Sequence, residues 1–385
     1  KLKLEQKFTA PLLSKWGNWS ASIRAPENIS SASRNKHSVI PVTQGDFLRQ
    51  ESVFFPMNPI HPTVDWQPSP DWSDLRLRAE LLRQARTFFH THHFLEVETP
   101  LLSAETVVDA AIEPLSVTLG LDESGDEKKY YLQTSPELCM KRLLAAGGEK
   151  ALFQVTRAFR GEECGPLHNP EFTIIEWYRV GDTMQDGMHF LSDLFQALMN
   201  TRKAKALSYR EAFLEFTGLD PFATEAAEFA QVATANGLAV PSLLGDDVDE
   251  WLDFFLLEMV MPHLGVGTPT ILYDYPASQA ALAKVRDDSI PVAERFELFY
   301  QGIELANGYH ELCDPMELEC RTAKANEKRA LQGRSSLPPS RKLRAAMEAG
   351  LPPSTGVALG FDRLVMLAAG KKRLGDVITF TLDRA

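Results

Sequence analysis

Three short stretches hold residues whose types and spacing could carry a reaction. The first is Val155-Thr156-Arg157-Ala158-Phe159-Arg160-Gly161-Glu162-Glu163, followed by His168-Asn169-Pro170-Glu171-Phe172. Read as a strand, its side chains alternate, so Gln154, Thr156, Ala158 and Arg160 share one face. On a returning strand Phe172, Ile174, Glu176 and Tyr178 do the same. If these faces line one pocket, an arginine, an aromatic plate, a carboxylate and a phenol converge. A guanidinium suits phosphate because its fork donates two parallel hydrogen bonds. The alternative is a hairpin carrying surface ion pairs. The second stretch is Gly302-Ile303-Glu304-Leu305-Ala306-Asn307-Gly308-Tyr309-His310-Glu311-Leu312. If the strand bends at Asn307-Gly308, Glu304 and Glu311 can face one divalent ion. Magnesium takes few carboxylates and completes its shell with phosphate oxygens, so such a pair implies a nucleoside triphosphate; the alternative is two solvated acids. The third is Gly356-Val357-Ala358-Leu359-Gly360-Phe361-Asp362-Arg363-Leu364. Its small residues leave room for a ligand against the backbone, and Arg363 opens a helix.

Positioning these groups takes strands and helices in a definite order. Ser73 is expected to cap a helix with Leu75, Ala79, Leu82, Ala85 and Phe89 on its inner face. A short strand over 94–100 and another over 130–134 follow. Ser135-Pro136-Glu137 combines a cap, a proline and an acid at a helix start, and Gly147-Gly148 ends that helix. Strands are expected over 151–160 and 172–179, and mainly helices over 186–262. Further strands fall at 270–275, 296–308 and 354–359. Helices fall near 316–332 and 360–370, with a linker around Pro338-Pro339. Strands joined through loops, with helices between, predict an α/β (α+β) fold with a mostly antiparallel sheet flanked by helices. No GxGxxG or Walker loop is present, so phosphates must be held another way.

The 385 residues are 44% hydrophobic and 24% charged, an ordinary globular composition. No apolar run approaches about 18 residues, which excludes a transmembrane helix. A net charge of −12 argues mildly against a protein that lives on nucleic acid. Cys139, Cys164, Cys313 and Cys320 show no metal-like spacing and read as reduced thiols of a cytoplasmic protein. Residues 1–56 mix Ser, Asn, Pro and Lys without a period, and the chain begins at Lys1 while Met57 resembles a natural start. We therefore expect 1–64 to be a poorly ordered extension, read either as upstream sequence that is not native or as a transit peptide. The catalytic domain is expected over 65–385, with a helical insertion at about 186–262.

The three stretches, in this order, resemble the signature motifs of the class II aminoacyl-tRNA synthetases, the lysine subgroup in particular. Phe94-Leu95-Glu96-Val97-Glu98-Thr99-Pro100 is similar to motif 1, the hairpin over 155–179 to motif 2 and 356–364 to motif 3. The resemblance runs from about Trp66 to Ala385. Glu311-Leu312 after the 302–308 stretch is similar to the lysine type. Within that subgroup the chain resembles the stand-alone paralogues that modify elongation factor P. No strands of an anticodon-binding barrel precede the core, Ser135 stands where synthetases usually carry alanine, and Ala358 where they usually carry glycine.

The resemblance implies an enzyme that activates (R)-β-lysine, or lysine, as its adenylate, using ATP as substrate and Mg2+. Arg160 would hold the α-phosphate and Arg363 the γ-phosphate of a bent ATP. Glu162 and Asn169 would contact adenine, with Phe172 stacked on it; Leu305 and Gly360 belong to the same ATP set, Gly360 letting the nucleotide approach the backbone. Glu304 and Glu311 would ligate magnesium. Glu176 and Tyr178 would bind the substrate's side-chain ammonium, and Ser135, Pro136 and Glu137 its other end, with Glu311 and Ala358 also lining the pocket. Adenylation needs no acid or base from His168. The resemblance further implies a cytoplasmic homodimer formed through motif 1, a lysine of elongation factor P as acceptor, and no stable tRNA binding. The alternatives are a truncated lysyl-tRNA synthetase and a catalytically dead regulatory paralogue. The latter typically loses a motif arginine or a metal carboxylate.

Overall fold

A computed structural model of the chain describes residues 66–385 except 122–124, 126 and 243, so the extension expected over 1–64 lies outside the described residues. Helix α1 (Trp72–Thr91) buries Asp74, Leu81, Ala85 and Phe89. Asp71, not Ser73, stands at its cap; Ala79 is exposed, and Leu75 and Leu82 are half-buried. The stripe is shifted because Asp74 and Arg78 face inward, pairing with Lys371 and Asp362. The strand expected over 94–100 shortens to β1 (Leu95–Glu96). Strands β2 (Leu102–Ser103), β3 (Ser116–Leu121) and β4 (Glu127–Leu132) form a three-stranded sheet in the order β2-β4-β3.

Helix α2 (Glu137–Ala146) stops at Gly147, whose φ of 76° suits a residue without a Cβ. Pro136 rather than Ser135 occupies its cap position, so Ser135 lies one residue outside the helix. Strands β5 (Ala151–Phe159) and β6 (Glu171–Val180) form the expected hairpin. Helix α3 (Met184–Met199) starts with a capping box between Thr183 and Asp186. The span expected to be helical contains a strand, β7 (Lys205–Ser208), before helices α4 (Tyr209–Thr217), α5 (Ala226–Ala235) and α6 (Val248–Phe255). Strands β8 (Thr270–Pro276), β9 (Val285–Arg286), β10 (Val292–Tyr300) and β11 (Ile303–His310) come next. The single strand expected over 296–308 is thus two, turning at Gln301 and Gly302 with φ of 53° and 72°. Helix α7 (Pro315–Leu331) is followed by helix α8 (Arg341–Gly350), where only a linker was expected. Strand β12 (Ser354–Gly360) and helix α9 (Phe361–Ala368) close the core.

The main sheet has nine strands in the order β1-β5-β6-β12-β11-β10-β8-β7, with β9 paired to β10. Its centre is antiparallel, and the β1–β5 and β7–β8 pairs at the two ends are parallel. The expected α/β architecture is what forms. On one face α1, α3 and α9 bury Phe89, Phe153, Trp177, Phe195, Phe296 and Leu359. Two smaller cores flank the other face. One joins Met140 and Leu144 of α2 to Leu318, Leu343 and Met347 of α7 and α8. The second gathers α4 to α6 around Tyr209, Phe229 and Phe255. The space between these flanking cores is the site.

Candidate active site

Cross-strand register aligns two rows of side chains on this face. One row runs Gln154, Glu176, Ala358, Asn307, Glu297, and the next runs Leu152, Tyr178, Gly356, Tyr309, Arg295. Directly paired residues share a face, so Glu176, Tyr178 and Ala358 stand side by side with Asn307 and Tyr309. Glu304 and Glu311 are an odd seven residues apart and would face opposite ways on a regular strand. A bulge corrects this. Leu298 pairs with Ala306 while Phe299 pairs with Glu304, so Leu305 is an extra residue on β11. The offset brings Glu304 on to the face of Asn307, Tyr309 and Glu311.

At one end of the site the carboxylates gather. Glu137 and Lys141 lie on the inner stripe of α2 with Met140 and Leu144. The Lys141 ammonium is 2.6 Å from Glu137 Oε1 and 2.5 Å from Glu311 Oε2, and its side chain is 0% exposed. Burial alone would lower the Lys141 pKa, but the Glu137 and Glu311 carboxylates outweigh it and hold the ammonium charged. The Tyr178 hydroxyl donates to Glu176 Oε1 at 2.7 Å. Glu176 Oε2 is buried without a partner among the described residues. Burial, then the Glu137 carboxylate, push Glu176 up to about 8 despite the Tyr178 hydrogen bond. Glu311 is pushed up to about 8 mainly by burial, against the pull of Lys141. Gly356 makes this packing possible: an added Cβ would stand 2.2 Å from the Tyr178 ring and 2.3 Å from Glu311 Oε1. Ala358 pairs with both Glu176 and Asn307, and Ser135 Oγ accepts from Glu137 N at 3.4 Å.

At the other end lie the arginines. Arg160, just past β5, holds its guanidinium 5.1 Å from the Phe172 ring centroid and 3.2 Å from Glu163 Oε1. Arg363 donates to Leu167 O at 3.3 Å, to Glu304 O at 3.0 Å and to His168 Nε2 at 2.6 Å. Burial, then Arg363 and Arg160, push His168 down to about 3, so the imidazole is neutral and can accept. Glu304 is pushed up to about 7 by burial and by Glu297, and its carboxylate lies 3.9 Å from Arg363. Beneath this end, buried Asp362 pairs with Arg78 at 2.6 Å and accepts from Thr173 N at 2.8 Å, tying α1, β6 and α9 together.

Several expected roles meet a different placement. Strand β11 runs unbroken through Asn307-Gly308, so the bend that would fold Glu304 and Glu311 on to one ion is absent. Glu311 is turned to Lys141 instead. No group of three or more His, Cys, Asp or Glu side chains suited to a metal occurs among the described residues. Asn169 donates to Glu171 O and accepts from Leu382 N, and Glu162 pairs with Arg334 at 2.5 Å. Leu305 is buried in the core, leaving only its backbone toward the site. At Gly360 an added Cβ would meet Leu305 O at 3.6 Å and Arg363 Cδ at 4.0 Å, ordinary contacts, so the protein itself does not demand glycine there. Sequence reasoning missed Lys141, Arg334 and Glu163. The signal for Lys141 was a helical stripe, Glu137-Met140-Lys141-Leu144, with two charged members on a core-facing side.

This fold, a mostly antiparallel sheet flanked by helices with arginines at one end of a face and buried carboxylates at the other, is that of a class II synthetase domain. The chain matches the profile "tRNA synthetases class II (D, K and N)" over residues 63–384, and it belongs to that family. A protein of Klebsiella pneumoniae subsp. pneumoniae named elongation factor P (R)-beta-lysine ligase is 43% identical over 323 residues, covering 84% of this chain and 99% of its own. Relatives of the same name from Salmonella typhi and Salmonella arizonae are 44% and 43% identical over the same share. The protein is a ligase of the synthetase-like kind.

Proposed function

We propose that the protein activates (R)-β-lysine, or lysine, with ATP and transfers it to a lysine side chain of elongation factor P. The observation that carries this reading is the polarity of one sheet face. Arg160 and Arg363 stand where a polyphosphate would be held, and Glu137, Glu176 and Glu311 stand where ammonium groups would be held. A buried carboxylate oxygen without a partner, Glu176 Oε2, is an acceptor that a substrate ammonium fits. The relatives' names supply the acceptor and the β-amino acid.

The substrate carboxylate, anchored by its amines, attacks the α-phosphorus in line, and pyrophosphate leaves from the opposite side. Arg160 exchanges its Glu163 and Phe172 contacts for the α-phosphate and stabilises the charge that builds there. Arg363, kept in place by neutral His168, holds the terminal phosphate. An amine of the acceptor then attacks the adenylate carbonyl, forming an amide and releasing AMP. Of the expected magnesium ligands, Glu304 fits: a half-buried carboxylate beside Glu297 would gain from a cation, with phosphate oxygens supplying further ligands. When bound, the ion would neutralise phosphate charge. Exposed Leu95, Leu101 and Leu143 near motif 1 provide apolar surface that a second copy would cover in a homodimer. No helix among the described residues is long and apolar enough to cross a membrane, and the cytoplasm suits an elongation factor as acceptor. The test is pyrophosphate exchange with lysine and (R)-β-lysine side by side. Exchange dependent on either supports the reading; none with both ends it.

A further inference from the structure

Lys141 has no part in the roles assigned above, yet it sits at the centre of the carboxylate end. It is fully buried and bridges Glu137 and Glu311 at 2.6 and 2.5 Å, so its charge is spent inside the protein. Glu176 is 2% exposed and keeps one oxygen unpartnered among the described residues. Against bound cations, which draw the protons from Glu176 and Glu311 and leave all four groups ionised, three carboxylates oppose one ammonium, a surplus of two negative charges. Buried charge is costly unless paired. A ligand that brings two ammonium groups closes that surplus; a ligand with one leaves a carboxylate bare.

We infer that Lys141 is a specificity-determining positioning residue. By clamping Glu137 and Glu311 it fixes the pocket's charge surplus at two and so selects a diamino monocarboxylic acid over a monoamino acid of the same shape. This rests on the adenylation reading and deepens it. Helix geometry makes the clamp rigid, because Glu137 and Lys141 are one turn apart on α2 and Glu311 reaches them from the end of β11. Without the ammonium, Glu137 and Glu311 would repel one another and part or share a proton, losing both count and spacing.

The experiment compares pyrophosphate exchange by wild type, Lys141→Gln and Lys141→Arg. The substrates are lysine, (R)-β-lysine and the lysine isostere with a hydroxyl in place of the side-chain ammonium; melting temperature and the KM for ATP are measured alongside. In Lys141→Gln the KM for the diamino acid should rise about tenfold or more, and the preference over the hydroxyl isostere should fall by a similar factor. The KM for ATP should stay within about twofold, which a general loss of structure would not allow. Lys141→Arg keeps the charge and should keep most of the preference. Unchanged preference in Lys141→Gln, or a parallel rise in the KM for ATP, overturns the inference. If Lys141→Gln does not fold, loss of preference in Lys141→Arg overturns it equally. A wild type that exchanges with no diamino acid would instead defeat the adenylation reading itself.

Discussion

Arg363 is held from three sides, by Leu167 O, Glu304 O and His168 Nε2, before any phosphate arrives. A donor fixed in advance needs no reorganisation when charge develops, which is where such groups gain most of their effect. Replacing Arg363 with alanine should lower the pyrophosphate exchange rate about 10²–10³-fold with little change in the unfolding transition. Near-normal exchange would remove Arg363 from the site. Glu176 gives a second expectation, in stability. Its folded pKa of about 8 stands above the ordinary 4.5, so the folded state binds that proton more tightly than the unfolded chain. The contribution is full below pH 4.5 and is lost as pH rises through about 8. The ligand-free melting temperature should therefore fall across that window, and Glu176→Gln should flatten the fall, leaving the shares due to Glu311 and Glu304, which are raised in the same direction. Equal slopes for both proteins would show that Glu176 is not so perturbed. The phosphate role proposed for the arginines was legible from residue type, because a guanidinium's fork suits phosphate, whereas the ammonium role proposed for the acids came only with the family resemblance. Lys141 was not legible, because that stretch was read only for its helix start at Ser135-Pro136-Glu137 and its end at Gly147-Gly148.

Elements decide whether those residues meet. Helix α9 carries Arg363, and its first turn is fixed by Asp362, which takes Thr173 N of β6 and Arg78 of α1. Arg78 also donates to Thr173 Oγ1 at 2.6 Å and lies over the Phe361 ring. Changing Arg78 to methionine leaves a buried carboxylate without its counter-ion, a loss of about 3 kcal/mol in urea unfolding. Because α9 and β6 then lose their tie to α1, exchange activity should fall as well; a variant as stable and active as wild type would refute the lock. Periodicity and punctuation marked β5, β6, β8, β12, α2, α7 and α9. Strand β7 escaped because four residues are too few to show a period, and it forms by pairing with β8. Helix α8 shows Leu343 and Met347 one turn apart, but Pro338-Pro339 just before it made the stretch look like a linker. The turn between β10 and β11 hides because Gln301 adopts a positive φ that its residue type does not advertise. The bulge at Leu305 left only the odd spacing of Glu304 and Glu311 as a trace, and that spacing was read instead as a bend at Asn307-Gly308.

For the whole molecule the open choice is the acceptor. The matched region spans 99% of relatives named for elongation factor P, so their length is accounted for by the same stretch of sequence. Binding tRNA draws on electropositive tracts that follow the phosphates and release counterions. A chain with a net charge of −12 is poorly disposed to that general attraction. A protein acceptor demands less: one lysine must reach the adenylate, lying between the arginine end and the carboxylate end of the same sheet face. We therefore expect the labelled aminoacyl group to pass to elongation factor P and not to tRNA. The measurement incubates the enzyme with ATP, magnesium and labelled (R)-β-lysine or lysine, offering purified elongation factor P in one reaction and total tRNA in another. Label on elongation factor P should survive mild base, because an amide resists conditions that hydrolyse an aminoacyl ester. Adding salt should change that transfer far less than it would a phosphate-dominated encounter. Base-labile label on tRNA, with elongation factor P unmodified, would overturn the proposed acceptor and favour a tRNA-charging enzyme built on the same site.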